Sequence, residues 1–325
     1  MSLAPPRVQA PRATAAPPLP DVEPGVLLSR ACGAMLGLAI GDALGATVEF
    51  MTPREIASQF GVHDRIRGEG WLRLAPGDVT DDTTMTFALA DAWLAAAGRP
   101  PTAEECAAAF DVWMRGKPVD IGNTVRRGIV RWRTHRTAQA EPSNDAGNGA
   151  TMRCLPVALA LFGAEADAVR AAALVQARVT HHHPLTDAAT VAVVNMVQVA
   201  LAGDGVRGVL AGARALVAAQ PAFAFRERRR EHPSGYIVDT MQAVLHAIER
   251  NDGFEAVLVD VVNRGGDADT TGAIAGMLMG AVVGETGLPT RWRRALKPDV
   301  RANCVRLACG LIDIAPGVCA AAPQA

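Results

Sequence analysis

The stretch Gly265–Gly284, GGDADTTGAIAGMLMGAVVG, sets two aspartates one residue apart, Asp267 and Asp269, ahead of glycines at every fourth position: Gly272, Gly276, Gly280 and Gly284. The residues between those glycines are helical in character, yet glycine costs roughly 1 kcal/mol against alanine in a helix interior. Positions i and i+4 share one helix face, so the glycines make a stripe without side chains. The segment Gly33–Gly45, GAMLGLAIGDALG, repeats the spacing at Gly33, Gly37, Gly41 and Gly45. Bare stripes let helix backbones approach closely, an effect best described in membranes but steric in origin. The two segments are therefore expected to pack together, or against equally close neighbours, inside the core.

Around them the chain reads as helix after helix with short polar breaks. Leu27–Gly45 is apolar and rich in small residues. Thr80 starts a helix running to about Ala97, with Met85, Leu89 and Trp93 at i, i+4 and i+8. Thr102 starts another that ends near Gly116. Further helices are expected over about 119–136, 152–162, 164–179, 184–202, 206–219, 237–250, 254–263, 271–283 and 289–296. No run of strand-like alternation appears, and VLVDVV at 257–262 reads equally as a buried helical turn. The expected fold class is all-α, a multi-helix bundle. Irregular stretches at 51–79, 137–150 and 220–236 are long for connections, and loops of that length are commonly functional or mobile.

Composition agrees. Half the residues are apolar but only 4% are aromatic, which favours a helical core of small side chains over a β-sandwich. A net charge of −1 supplies no general field toward nucleic acid or anionic membrane, so no direct nucleic acid binding is expected. Six cysteines stand without a C-x-x-C pair, as free thiols in a reducing cytoplasm would. Residues 1–25 hold seven prolines and no apolar signal region, and are expected to be a disordered leader. One domain is expected over 26–318, a short tail over 319–325, and a monomer.

Three acidic groups fall at helix ends: Asp42 with Glu49, Asp81 with Asp82 behind Thr80, and Asp267 with Asp269 ahead of Thr270. A carboxylate in a first helical turn is favourable on its own. Adjacent carboxylates repel, however, and a cluster at the head of closely packed helices suits hard divalent cations with oxygen ligands. One or two ions shared among Asp81, Asp82, Asp267 and Asp269 explain the clustering. Mg²⁺ or Mn²⁺ fits better than Ca²⁺, because the EF-hand-like start at Asp267 reaches Leu278 where glutamate is needed. Zinc spacing, a P-loop, H-E-x-x-H and G-x-S-x-G are all missing from the sequence. Asp267–Thr271 also matches a D-x-D-x-[TV] phosphatase pattern, which needs a buried strand directly before it.

The motifs GLAIGDALGATVEF, VTDDTTM, KPVDIGNT, GNGATMR, THHHPLTDAA and NRGGDADTTGAIAGM, in this order, resemble the ADP-ribosylglycohydrolases. VEFMTPREI, GWLRLAPGDVTDD and GYIVDT narrow the resemblance to the members that act on ADP-ribosylated dinitrogenase reductase, the nitrogenase iron protein. It covers about Leu27 to Leu296 and departs only at Thr151, where alanine is common, and His182, where asparagine is.

The resemblance implies a dinuclear Mn²⁺ or Mg²⁺ centre held by Thr80, Asp81, Asp82, Asp267, Asp269 and Thr270. It implies Glu49 at the family's mobile acidic position, with Asp81, Asp120, Asp267 and Asp269 also catalytic. Asp120 and Asn123 would hold the ribosyl-arginine, His182 would line the substrate cleft and Tyr236 would meet the adenosine. The backbone of Gly147, Asn148 and Gly149 would take the diphosphate. The implied activity is hydrolysis of the N-glycosidic bond between ADP-ribose and a protein arginine, with regulation by nitrogen-signalling proteins and partner-mediated membrane recruitment. Other ADP-ribosyl linkages (serine, O-acetyl-ADP-ribose, nucleic acid) and a non-catalytic ADP-ribose-binding module stand as alternatives. The RERRRE run at 226–231 reads as a solvated face, or as a diphosphate or partner contact.

Overall fold

The computed structural model describes residues 22–319, and at its centre the two glycine-striped segments pair as antiparallel helices, α1 (Pro24–Gly45) and α12 (Ala268–Val283). A β-carbon on Gly37 would stand 2.2 Å from the Gly276 carbonyl oxygen, and one on Gly41 1.9 Å from that of Gly272. Gly33 meets Gly280, and Gly45 meets Ala268, in the same series. No real β-carbon tolerates such distances, so the helices close only because both stripes are bare. Opposed chain directions bring the C-terminal end of α1 to the N-terminal end of α12, where Asp267 and Asp269 stand.

Thirteen further helices cover this pair: α2 (Pro53–Phe60), α3 (Asp81–Ala95), α4 (Ala103–Arg115), α5 (Asn123–His135), α6 (Leu155–Ala160), α7 (Ala166–Ala177), α8 (Pro184–Ala202), α9 (Gly205–Ala219), α10 (Ile237–Arg250), α11 (Gly253–Val262), α13 (Thr290–Ala295), α14 (Pro298–Asp313) and α15 (Pro316–Cys319). α8, α10 and α11 pack on α12, α14 packs on α1, and α3 touches both central helices. A contiguous apolar core results, and no strand occurs among the described residues. The fold class is all-α, as expected. α1 and α8 are long and apolar enough to cross a membrane, but 78% and 56% of their apolar windows are buried inside the fold.

Helix ends follow local chemistry. In α4 the Thr102 side chain accepts from Glu105 N while Glu105 reaches back to Thr102 N at 2.8 Å, a capping box. The same device, Thr52 with Glu55 behind Pro53, starts α2 inside the stretch expected to be irregular. α14 was likewise not anticipated. Its Val300, Cys304, Leu307, Ala308 and Leu311 face the core at helical spacing. α6 is shorter than expected, beginning at Leu155 with Pro156 in its first turn. α1 starts at Pro24, inside the expected leader, with Glu23 accepting from Gly25 N and Val26 N at 3.0 and 2.9 Å. The rest of that leader, residues 1–21, and residues 320–325 of the expected tail lie outside the described residues.

Gly276→Ala gains about 1 kcal/mol of helix propensity yet places a β-carbon 2.0 Å from the Gly37 carbonyl oxygen. Net destabilisation of roughly 1–3 kcal/mol is expected. Denaturant melts measure it, and a neutral or stabilising result contradicts the close-approach account.

Candidate metal centre

Glycine also builds the site at the head of α12. Gly265 and Gly266 adopt φ 67° and 65°, the left-handed region that glycine enters without strain. Their turn is clamped from two sides. Phe50 N donates to Gly266 O at 2.7 Å and Gly266 N to Met51 O at 3.0 Å, while Asp267 N donates to Pro233 O at 2.8 Å. Glu49, just ahead of Phe50, is thereby held beside Asp267. Glu49, Asp267 and Asp269 offer carboxylate oxygens that all lie within 4.8 Å of one another.

α3 brings the second acidic group to the same place. Thr80 stands at its N-cap position but makes no capping bond with its side chain. Its hydroxyl lies instead 3.3 Å from Asp269 Oδ2 and 3.4 Å from Asp82 Oδ2. Thr270 Oγ1 donates to Asp82 Oδ2 at 3.2 Å, tying α12 to α3. Beneath them Asp42 of α1 accepts from Thr80 N at 3.0 Å, Thr83 N at 3.1 Å and Thr83 Oγ1 at 2.5 Å. Asp42 thus fixes the turn that presents Asp81 and Asp82, a role the sequence reading did not give it.

A cleft of about 360 Å³ opens above this floor. Glu49, Asp81, Asp267, Asp269 and Thr270 face it from below, and Asp120 and Asn123 from the start of α5. The segment Gly147–Gly149 forms the opposite wall. It is held by Asn148 N donating to Gly235 O at 3.0 Å and Ile237 N to Ala146 O at 2.9 Å. Asn148 Nδ2 donates to Asp267 Oδ2 at 2.5 Å and to Thr240 Oγ1 at 2.9 Å. On the other side Trp71 Nε1 donates to Glu49 Oε2 at 2.6 Å, and the exposed Trp71 ring lies against Phe50, with centroids 5.3 Å apart.

The donor set fits a divalent cation. Asp42, Glu49, Asp81, Asp82, Asp267 and Asp269 have only neutral donors as hydrogen-bond partners, and no ion pair among the described residues involves them. Asp82 Oδ1 is buried without any hydrogen-bond partner, an orphan that normally costs 1–3 kcal/mol or more for a charged group. Burial accordingly raises Glu49 to about 8 and Asp81 to about 7, with like charges on Asp267 and Asp120 adding to it. Asp42 rises to about 6 by burial, and Asp82 and Asp269 are pushed well up by burial and their neighbours' charges. A bound cation would remove that penalty and give the orphaned oxygen a partner.

Two expected substrate contacts stand elsewhere. His182 is turned away from the cleft: its Nδ1 pairs with Ala140 O at 2.7 Å and its carbonyl accepts from Ser143 N at 3.0 Å. His181 takes the place in the wall instead. Tyr236 is 43% exposed and does not line the cleft, while its backbone bridges to Gly147. Asn148 N–H is spent on Gly235, leaving the amide of Gly149 in the wall for a ligand. Arg226, Arg229 and Arg230 of the RERRRE run pair with Glu249, Asp260 and Asp239, so the run braces the fold and does not face the cleft. The phosphatase pattern fails because no strand precedes Asp267. His181, Asp145, Trp71 and Gly235 were missed. His181 had a signal as the first of three consecutive histidines, and Trp71 and Gly235 stand in the quoted GWLRLAPGDVTDD and GYIVDT motifs.

Residues 23–318 match the family model of the ADP-ribosylglycohydrolases, and this chain belongs to that family. The chain is 49% identical over 287 residues to the ADP-ribosyl-[dinitrogen reductase] glycohydrolase of Rhodospirillum rubrum, covering 88% of this chain and 96% of that protein. It is 33% identical to the ADP-ribosylarginine hydrolase Tri1 of Pseudomonas putida strain GB-1, across 91% of this chain and 81% of that one. A solved structure of an ADP-ribosylglycohydrolase-related protein complex superposes with a TM-score of 0.79 at 33% identity, over 89% of this chain and 99% of that one.

The raised carboxylates fix a sign for metal-free stability. A folded pKa above the unfolded one means more protons bound when folded, so stability is full below pH ~4 and falls as pH rises through the 6–8 range of Asp42, Asp81 and Glu49. Chelator-treated protein is expected to melt roughly 5–10 °C lower at pH 8 than at pH 5, and Mn²⁺ to abolish the difference. An apo melting point that rises over this interval contradicts the assignment.

Proposed function

We propose that this chain is a metal-dependent hydrolase that releases ADP-ribose from an arginine side chain, with ADP-ribosylated dinitrogenase reductase as its protein substrate. The observation that carries the reading is the cluster of uncompensated acidic side chains flooring a cleft that Asp120 overhangs. The relatives' names support arginine as the linkage and dinitrogenase reductase as the bearer.

In this reading Thr80, Asp81, Asp82, Asp267, Asp269 and Thr270 would hold two Mn²⁺ or Mg²⁺ ions, which would supply Lewis acidity. The chain does the rest. Asp120, at the cleft's edge beside Asn123, takes the substrate guanidinium by charge-assisted hydrogen bonds. Asn148, itself bonded to Thr240, holds Asp267 in one orientation. Trp71 does the same for Glu49 through one oxygen. The other oxygen is left to accept a proton from the attacking water. The unbonded amide of Gly149 in the cleft wall is left for the diphosphate, and the exposed Tyr236 ring beside this segment offers a stacking surface to adenine. Free thiols at Cys32, Cys106, Cys154 and Cys304 are buried and unpaired, which suits the reducing cytoplasm proposed as its compartment.

Release of ADP-ribose from the modified iron protein, with and without Mn²⁺, tests the proposal. Chelation is expected to abolish turnover and Mn²⁺ to restore it. Asp269→Asn is expected to lower kcat by at least 10²-fold while the chain stays folded by circular dichroism. ADP-ribosyl-serine run in parallel is expected to be a poor substrate. Full activity in chelator, or equal activity on serine, sinks the corresponding half of the reading.

A further inference from the structure

One ring in the cleft wall has its orientation fixed from behind. His181 is only 3% exposed. It lies against the glycine segment so closely that a β-carbon on Gly147 would come 2.9 Å from its Nε2, and one on Gly149 2.9 Å from its Cε1. Its Nδ1 sits 2.8 Å from Thr180 Oγ1. The same hydroxyl receives Nη2 of Arg153 at 2.8 Å. Arg153 is fully buried, with its Nε and Nη2 donating to the Gln176 side chain and carbonyl at 3.1 and 3.0 Å. Its guanidinium lies 4.3 Å over the Phe110 ring. A β-carbon on Gly128 of α5 would meet Thr180 Cγ2 at 2.8 Å, so α5 confines the threonine side chain.

The protons can be counted along this chain. A guanidinium only donates, and a hydroxyl carries one proton. Thr180 Oγ1 accepts from Arg153, and His181 Nδ1 is the one acceptor within reach of its own proton among the described residues, so the satisfied arrangement points that proton to Nδ1. Nδ1 is then an acceptor, and in a neutral imidazole the N–H must sit on Nε2. Nε2 has no hydrogen-bond partner among the described residues and faces the cleft. We propose that Arg153 and Thr180 are positioning residues that lock His181 as its neutral Nε2–H tautomer, giving the cleft a fixed, uncharged donor for an oxygen of bound ADP-ribose.

Charge supports the arrangement. Burial and the neighbouring Arg153 push His181 down to about 3, so the ring stays neutral at physiological pH. A histidinium here would pair with the acidic floor. A neutral N–H does not compete for those carboxylates and keeps its proton for the ligand. The tautomer is inferred from this hydrogen-bond geometry, and only its use for ADP-ribose rests on the function proposed above.

Side-chain ¹⁵N shifts of the full chain, loaded with diamagnetic Mg²⁺ at pH 7, read the tautomer directly. Wild-type His181 is expected to show an unprotonated Nδ1 and a protonated Nε2. Thr180→Val, nearly isosteric, is expected to lose that pattern and to weaken ADP-ribose binding by calorimetry roughly tenfold. Thr180→Ser, which keeps the hydroxyl, is expected to restore the pattern. An Nδ1–H ring in the wild type, readable even if the valine variant fails to fold, overturns the lock. So does a valine variant with unchanged shifts. Altered shifts with unchanged ADP-ribose affinity overturn the ligand role. Absence of hydrolysis of ADP-ribosyl-arginine by the wild type defeats the proposed function instead, and leaves the tautomer result standing.

Discussion

Backbone contact between α1 and α12 is the constraint on which the rest of the structure depends. Glycine is an expensive choice in a helix, and here it appears in two matched stripes where any β-carbon would collide with a carbonyl oxygen of the facing helix. What the stripes provide is position. With the backbones at closest approach and the helices antiparallel, Asp42 at the end of α1 and Asp269 at the start of α12 share one small volume. Thr80 and Thr83 of the α3 turn can then hydrogen-bond across it. The packing device and the chemical site are one construction.

That construction carries an electrostatic strain. Six acidic side chains converge without a cationic partner, and burial raises the proton affinity of each. Hydroxyl, amide and indole donors orient the carboxylates but do not neutralise them. A structural ion-pair network would place arginine or lysine here, and the protein has abundant arginine elsewhere. The one arginine behind the cleft, Arg153, is committed to Gln176, Thr180 and the Phe110 ring, with no carboxylate partner. Charge balance is left to an ion from outside.

Most of the fold was legible because its signals are local. Glycine every fourth residue, apolar residues at helical spacing, and threonine caps named the central pair and most of its neighbours. α2 and α14 carry local signals too, in Thr52–Pro53–Glu55 and in the apolar stripe of 300–311. In the site, the aspartates could be read from sequence because repelling neighbours demand an explanation wherever they occur. Roles that depend on which way a loop turns could not. His181 and His182 are chemically identical neighbours, and only the bonds from the 140–143 loop to His182 decide which ring enters the cleft. Asp42 looked like a helix-end residue, because its partners lie some 40 positions away on another helix.

The central pair also joins two stretches far apart in the sequence, Pro24–Gly45 and Ala268–Val283. α1 meets its partner only after more than 200 further residues have left the ribosome. Until then its apolar faces and bare glycine stripe have no native cover, a state prone to wrong contacts. Folding of this chain is therefore committed late, and a fragment that stops short of α12 lacks both the seam and the acidic site.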